Sequence, residues 1–163
     1  MLIQALASTP LDIIRLVRPL DTAAAAWRTA PDSWSCRDVV NHLCYVEPLY
    51  LARLHRIMTE GEPTVPYIDP GRAPEIPDTP ITELVERFRT EREATLTALR
   101  ELPPGGWQRA AIHERKGRMT LRYLVQDLVS HDIEHTSQLV EIQGRWRASL
   151  KLQRGPGQPG SGR

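Results

Sequence analysis

Neither sign of charge is in excess in this sequence, cysteine is nearly absent, and no apolar run is long. The 21 basic and 20 acidic residues almost cancel, and no block of like charge stands out, which argues against a strong electrostatic hold on nucleic acid or an anionic membrane. The apolar runs fall far short of a membrane span, and the amino terminus lacks the basic-then-apolar pattern of a signal peptide. A cytoplasmic protein is therefore expected. Cys36 and Cys44 are the only cysteines, too few for a disulfide framework or a cysteine-based zinc site. On one helix they would stand about 12 Å apart, beyond disulfide reach, so two small buried thiols are expected. No internal repeat or sustained heptad array points to a solenoid or a rod. At 163 residues the size prior is a single domain able to bury a core without staples.

What is present is helical periodicity. Thr9-Pro10 reads as a cap followed by proline at the first helical position, opening a helix through Leu11, Ile14, Leu16, Val17 and Leu20 to about Trp27, bent at Pro19. Ser35-Cys36-Arg37-Asp38 imitates a capping box and opens a second helix to about Glu60, with Pro48 bending it near the Cys44 carbonyl. A proline-rich segment, Pro63 to Pro80, has no clear period. Thr79-Pro80 repeats the start signal for a third helix ending near Leu102, where Glu86, Arg87, Arg89, Glu91 and Arg92 are assigned to the wetter side. Pro103-Pro104-Gly105-Gly106 stops it. Thr120 caps a fourth helix that is expected to end near Gly144. No segment reads as a strand; a short hairpin between Pro104 and Met119 is compatible with the sequence but not signalled. The expected architecture is an all-α four-helix bundle with long connections over residues 1–150, followed by a disordered tail over 151–163.

The chemistry lies in the histidines. Leu121, Leu124, Leu128, His131, His135, Gln138 and Ile142 form one helical stripe, so two imidazoles stand one turn apart where hydrocarbon should continue. They are either core histidines bonded to neighbours such as Gln138 or Tyr50, or two ligands of a divalent metal. His42, on the shoulder of the second helix's stripe, favours ligation. Asp38, one turn earlier, either orients that ring or simply caps the helix. His55 reads as a surface residue, and His113, in a basic loop, either grips an anionic ligand or is solvated, the plainer reading. The run Arg115-Lys116-Gly117-Arg118 either attracts an anionic cofactor or forms a solvated turn, the plainer reading. The protease order His-Glu-x-x-His is absent. The inverted order is matched in letters by His131, Glu134 and His135, but it requires a carboxylate ligand well downstream, and too little ordered chain is expected to follow. Asp132 and Glu134 each flank the histidine seam, as weak general-base candidates or as ordinary carboxylates, either at the helix surface or set behind a ligating ring.

Trp34-Ser35-x-x-Asp38-Val39-Val40-x-His42-Leu43, with Thr120-Leu121 and His131-x-x-Glu134-His135-x-x-Gln138-Leu139 far downstream, resembles the DinB-like superfamily of metal-binding four-helix bundles. The resemblance extends from about Ala5 to Arg145. It implies an up-down-down-up bundle with His42, His131 and His135 at the metal-ligand positions. The superfamily includes thiol-dependent enzymes, among them bacillithiol transferases and mycothiol-dependent maleylpyruvate isomerase, so membership implies the site more strongly than the reaction.

Three neutral imidazoles leave open positions on a divalent ion, the pattern of a catalytic rather than a structural site. Zinc and nickel suit it best, and iron and copper are compatible. The expected function is a metal-dependent transferase acting on a small molecule with a low-molecular-weight thiol. Hydrolysis and a non-catalytic metal-binding stress module are the alternatives. Glu47 and Tyr50 are the residues to check for a fourth ligand that would close the site. Dimerisation through a bundle face is compatible with the sequence.

Overall fold

A computed structural model describes residues 1–69 and 78–153. Four long helices carry the fold: α1 (Leu2–Val17), α3 (Cys36–Thr59), α4 (Ile81–Arg100) and α5 (Leu121–Gln153), with a short α2 (Thr22–Ala26) after α1. Each of α1 and α3 packs against both α4 and α5, so α1 faces α3 across the bundle. Side-chain contacts give the directions. Cys44 and Glu47 on α3 meet Leu84 and Arg92 on α4 in ascending order, so these two helices run parallel. Thr9 and Leu16 on α1 meet Asp132 and Gln143 on α5, again in ascending order. His42 and Tyr50 on α3 meet His131 and Asp127 on α5 in descending order, which makes the topology up-down-down-up. No helix among the described residues is long and apolar enough to cross a membrane.

Local chemistry explains where α3 begins. Ser35 accepts from the Asp38 amide while the Asp38 carboxylate accepts from the Ser35 amide, a reciprocal box that satisfies two otherwise orphaned donors. Pro48 lies inside α3 as the sequence predicts. The first helix departs from expectation. It begins at Leu2, not at Thr9-Pro10, and ends at Val17, ahead of Pro19; α2 is capped separately by Asp21, which accepts from the Ala24 amide. Pro10 therefore sits mid-helix, where it leaves the Leu6 carbonyl without its usual donor. Arg92 supplies one, donating from Nη1 to that oxygen at 3.2 Å.

Two further differences concern the second half of the chain. The loop after α4 holds a real hairpin, β2 (Ala110–His113) paired antiparallel with β3 (Gly117–Thr120), and β2 also pairs in parallel with the two-residue strand β1 (Thr64–Val65). Gly117 occupies a left-handed conformation, φ 72°, in the turn, which glycine adopts without strain. The fourth bundle helix passes through Gly144 and continues to Gln153. A mid-helix glycine costs about 1 kcal/mol, and the Trp27–Trp146 ring contact, 5.6 Å between centroids, holds the extension down. Residues 151–153 of the expected disordered tail thus belong to α5. The remainder of the tail and residues 70–77 of the proline-rich segment lie outside the described residues.

The core has a polar waist. One apolar cluster contains Leu6, Leu54, Leu96, Leu99, Leu124 and Leu128; a second contains Ile13, Val39, Leu84, Phe88, Leu139 and Ile142. Between them, at mid-height on every long helix, lie Thr9, His42, Glu47, Arg92, Asp132 and His135, all buried.

Candidate metal centre

α3 and α5 run antiparallel at the waist and bring His42, His131 and His135 together, each offering one ring nitrogen within a group spanning no more than 4.8 Å. His42 and His131 approach with their Nε2 atoms 2.9 Å apart. His42 is fully buried and His135 nearly so, while His131 is half-buried. On the far side of its ring, His135 has Nδ1 2.8 Å from Oε1 of Gln138. An amide oxygen only accepts, so Nδ1 carries the proton and Nε2 is left as a bare lone pair. Burial, followed by the neighbouring His131, holds the His135 pKa below the usual imidazole range, which keeps the ring in its ligating, neutral form. Nδ1 of His131 is buried without a hydrogen-bond acceptor and lies 4.0 Å from the Asp132 carboxylate. Trp34 covers the group, its ring stacked on His135 at 14° and 5.8 Å and tilted against His42 at 5.0 Å.

The donor set fits a divalent ion. Imidazole nitrogens are good ligands for zinc, nickel, iron and copper alike. Neither residue considered as a closing ligand is free to serve. Glu47 accepts from Arg92 at 2.9 and 2.7 Å, and the Tyr50 hydroxyl donates to Asp127 at 3.0 Å. Among the described residues no carboxylate or thiol joins the three histidines, so the constellation has the open form of a catalytic site.

Asp132 is not the flanking surface carboxylate that helical geometry suggests. It is 2 % exposed and accepts from Arg92 Nη1 and Nη2 at 2.5 and 3.0 Å and from the Thr9 hydroxyl at 2.8 Å. Burial works to raise its pKa, but the nearby His131 and the hydrogen bonds from Arg92 and Thr9 outweigh that and hold the group ionised. Arg92, assigned to the wet side of its helix, is fully buried and grips Glu47 with its other edge. A helix packed against two neighbours buries more than one narrow stripe. The signal was in the spacing: Arg92 falls in step with Leu84, Phe88, Leu96 and Leu99, as Asp132 does with Leu128, His135 and Leu139.

The remaining residues divide clearly. Glu134 is exposed beside the site, as a flanking carboxylate should be, and His55 is at the surface. Asp38 caps its helix and pairs with Arg28 at 2.8 Å. His113 is not solvated; it is 4 % exposed on β2, and its Nδ1 accepts from the amides of Arg115 and Lys116 at 3.1 and 3.2 Å. Two cavities meet the histidines. A cleft of about 660 Å³ opens past Trp34, His135, Gln138 and Glu141, and a narrower one of about 300 Å³ passes Tyr50, Arg53, His113, Lys116 and His131; Glu134 lines both.

The family model of the DinB superfamily matches residues 5–139. The chain belongs to the DinB superfamily. The family match thus takes in all three histidines and the four-helix frame that positions them. The fold is also that of YfiT from Bacillus subtilis, described as a probable metal-dependent hydrolase with an unusual four-helix bundle topology. The two chains superpose with a TM-score of 0.79 over 89 % of this chain and 85 % of that one, at 21 % identity. No curated protein matches the sequence.

Proposed function

We propose that this DinB-superfamily protein is a metal-dependent transferase in which His42, His131 and His135 hold a divalent ion, zinc or nickel, and a low-molecular-weight thiol is transferred to a small electrophile. The observation that carries the reading is the convergence of three imidazoles, joined by no carboxylate or thiol among the described residues, with His135 lining one cavity and His131 another. A one-substrate reaction needs one approach to such a centre; a thiol and its acceptor need two.

A divalent ion in this setting supplies Lewis acidity, lowering the pKa of a thiol or water that reaches it. The chain supplies the rest. Gln138 fixes the His135 tautomer, Trp34 shields the rings from bulk water, and Glu134, lining both cavities, takes the thiol proton. Sulfur then forms a bond to the electrophilic carbon. The leaving group departs with the electron pair of the broken bond and collects the proton from Glu134.

Hydrolysis is the second reading, favoured by the description of YfiT. The two are separated by incubating metal-loaded protein with alkyl halides and epoxides plus a thiol, and with esters and amides without one. Thiol-dependent product, reduced about 100-fold in Glu134→Gln, supports transfer. Turnover that proceeds equally without thiol makes the protein a hydrolase. No turnover in either panel, with metal stoichiometrically bound, leaves a metal-binding module.

A further inference from the structure

The narrower cavity contains a cation that the proposed chemistry does not use. Arg53 is 4 % exposed, yet no carboxylate among the described residues lies within salt-bridge distance of it. Its Nη2 donates to the Pro66 carbonyl, and its Nε–H is buried with no acceptor among the described residues. The acids whose charge reaches it are engaged elsewhere. Asp127 accepts from Tyr50 and from Lys116, and Glu114 accepts from the Tyr67 amide. A guanidinium removed from water without an anionic partner is costly, and one partner of the right shape restores the balance.

His113 lines the same cavity. Two backbone amides donate to its Nδ1, so its proton must sit on Nε2, leaving a fixed donor with no acceptor among the described residues. The guanidinium carbon of Arg53 lies 5.2 Å from the centre of the Tyr50 ring, whose other neighbour, the His131 ring, is 6.5 Å away. Donors thus occupy one end of the cavity and a candidate metal ligand the other.

We infer that the Arg53 and His113 end of this cavity is a seat for a carboxylate group, so that the electrophile consumed by the enzyme is a small organic acid presented to the centre by its opposite end. A carboxylate suits the site because its two oxygens can accept from the planar guanidinium fork and from the imidazole N–H together. The orientation toward the histidines rests on the proposed metal centre. The seat itself does not.

The test is a titration of the full-length, zinc-loaded protein with butyrate and with butyramide, following the Arg53 Nε–H and His113 ring signals by nitrogen-edited NMR. Saturable shifts at both residues with butyrate, absent with butyramide, are expected. Affinity should fall about ten-fold or more in Arg53→Met and be unchanged in Arg118→Met, an exposed arginine on β3. The wild-type comparison of acid with amide needs no variant, so poor folding of Arg53→Met does not spoil the test. His42→Ala separates this inference from the metal reading, since it removes a proposed ligand and should still bind butyrate. Equal responses to acid and amide, unsaturable shifts, or shifts confined to His131 and His135 would overturn the seat.

Discussion

His42 and His131 stand 89 positions apart in sequence, yet their Nε2 atoms are 2.9 Å apart. Two lone-pair-bearing nitrogens are held at that distance by a shared proton or by a cation between them. If the cation is a divalent metal, elemental analysis of the native chain will find close to one ion per chain. His42→Ala and His131→Ala will each lose it, because a ligand is missing from either helix. A variant that keeps full occupancy would show that the metal sits elsewhere.

The Arg92 network predicts an asymmetry in stability. Arg92→Met leaves Glu47 and Asp132, both buried, without their cation, and the loss should be about 3–5 kcal/mol by urea denaturation. Replacing all three residues with apolar ones of similar volume should recover most of it, since the desolvation cost disappears along with the attraction. A loss below about 1 kcal/mol in the single variant would mean that water or structural relaxation compensates the unpaired acids.

His113 gives a pH signature. Burial, then the charges of Arg53 and Lys116, hold its pKa below the ordinary value, so the unfolded chain takes up a proton at a higher pH than the folded one. Its contribution is complete above about pH 6.5 and is lost as the pH falls toward the folded-state value. His113→Asn keeps an acceptor for the two amides but does not titrate. The stability difference between the two proteins should therefore shrink on acidification, and a difference that grows instead would contradict the assigned environment.

Both thiols should be silent in the native state. Burial, then Asp38, pushes Cys36 up to about 11, and burial, then Glu91, pushes Cys44 up to about 12. Thiolate is the reactive form. An aromatic disulfide reagent at pH 8 should label neither cysteine until denaturant is added, and then label two per chain. Rapid native labelling would reveal local opening at the start of α3.

The parts of this structure legible in the sequence are those set by neighbours along the chain. Ser35 and Asp38 mark the start of α3 three residues apart, and the histidines announced themselves by interrupting a leucine stripe. The errors share a different origin. Thr9-Pro10 has the form of a helix start, but Pro10 is accommodated mid-helix because Arg92, far away in sequence, uses the carbonyl it frees. Gly144 reads as a stop, but Trp27 and Trp146 carry the helix past it. The hairpin strands are four residues each, too short for a period to register, and the register with Thr64 and Val65 exists only in three dimensions. Charge alone puts Arg92 on the wet side of its helix, and angle around the helix puts Asp132 beside the histidine seam, but a helix packed against two neighbours buries a second stripe, on which each of the two satisfies the other.

The ionic knot at the waist is also unbalanced. Arg92 faces two carboxylates, Glu47 and Asp132, which leaves one unit of negative charge in a dry interior where screening is weak. One of the two carboxylates, Asp132, follows His131 in the chain and lies 4.0 Å from its Nδ1. The same cluster that ties four helices together therefore gives the bundle a standing field at its centre, one that draws positive charge toward the three imidazoles before any ligand has formed a bond.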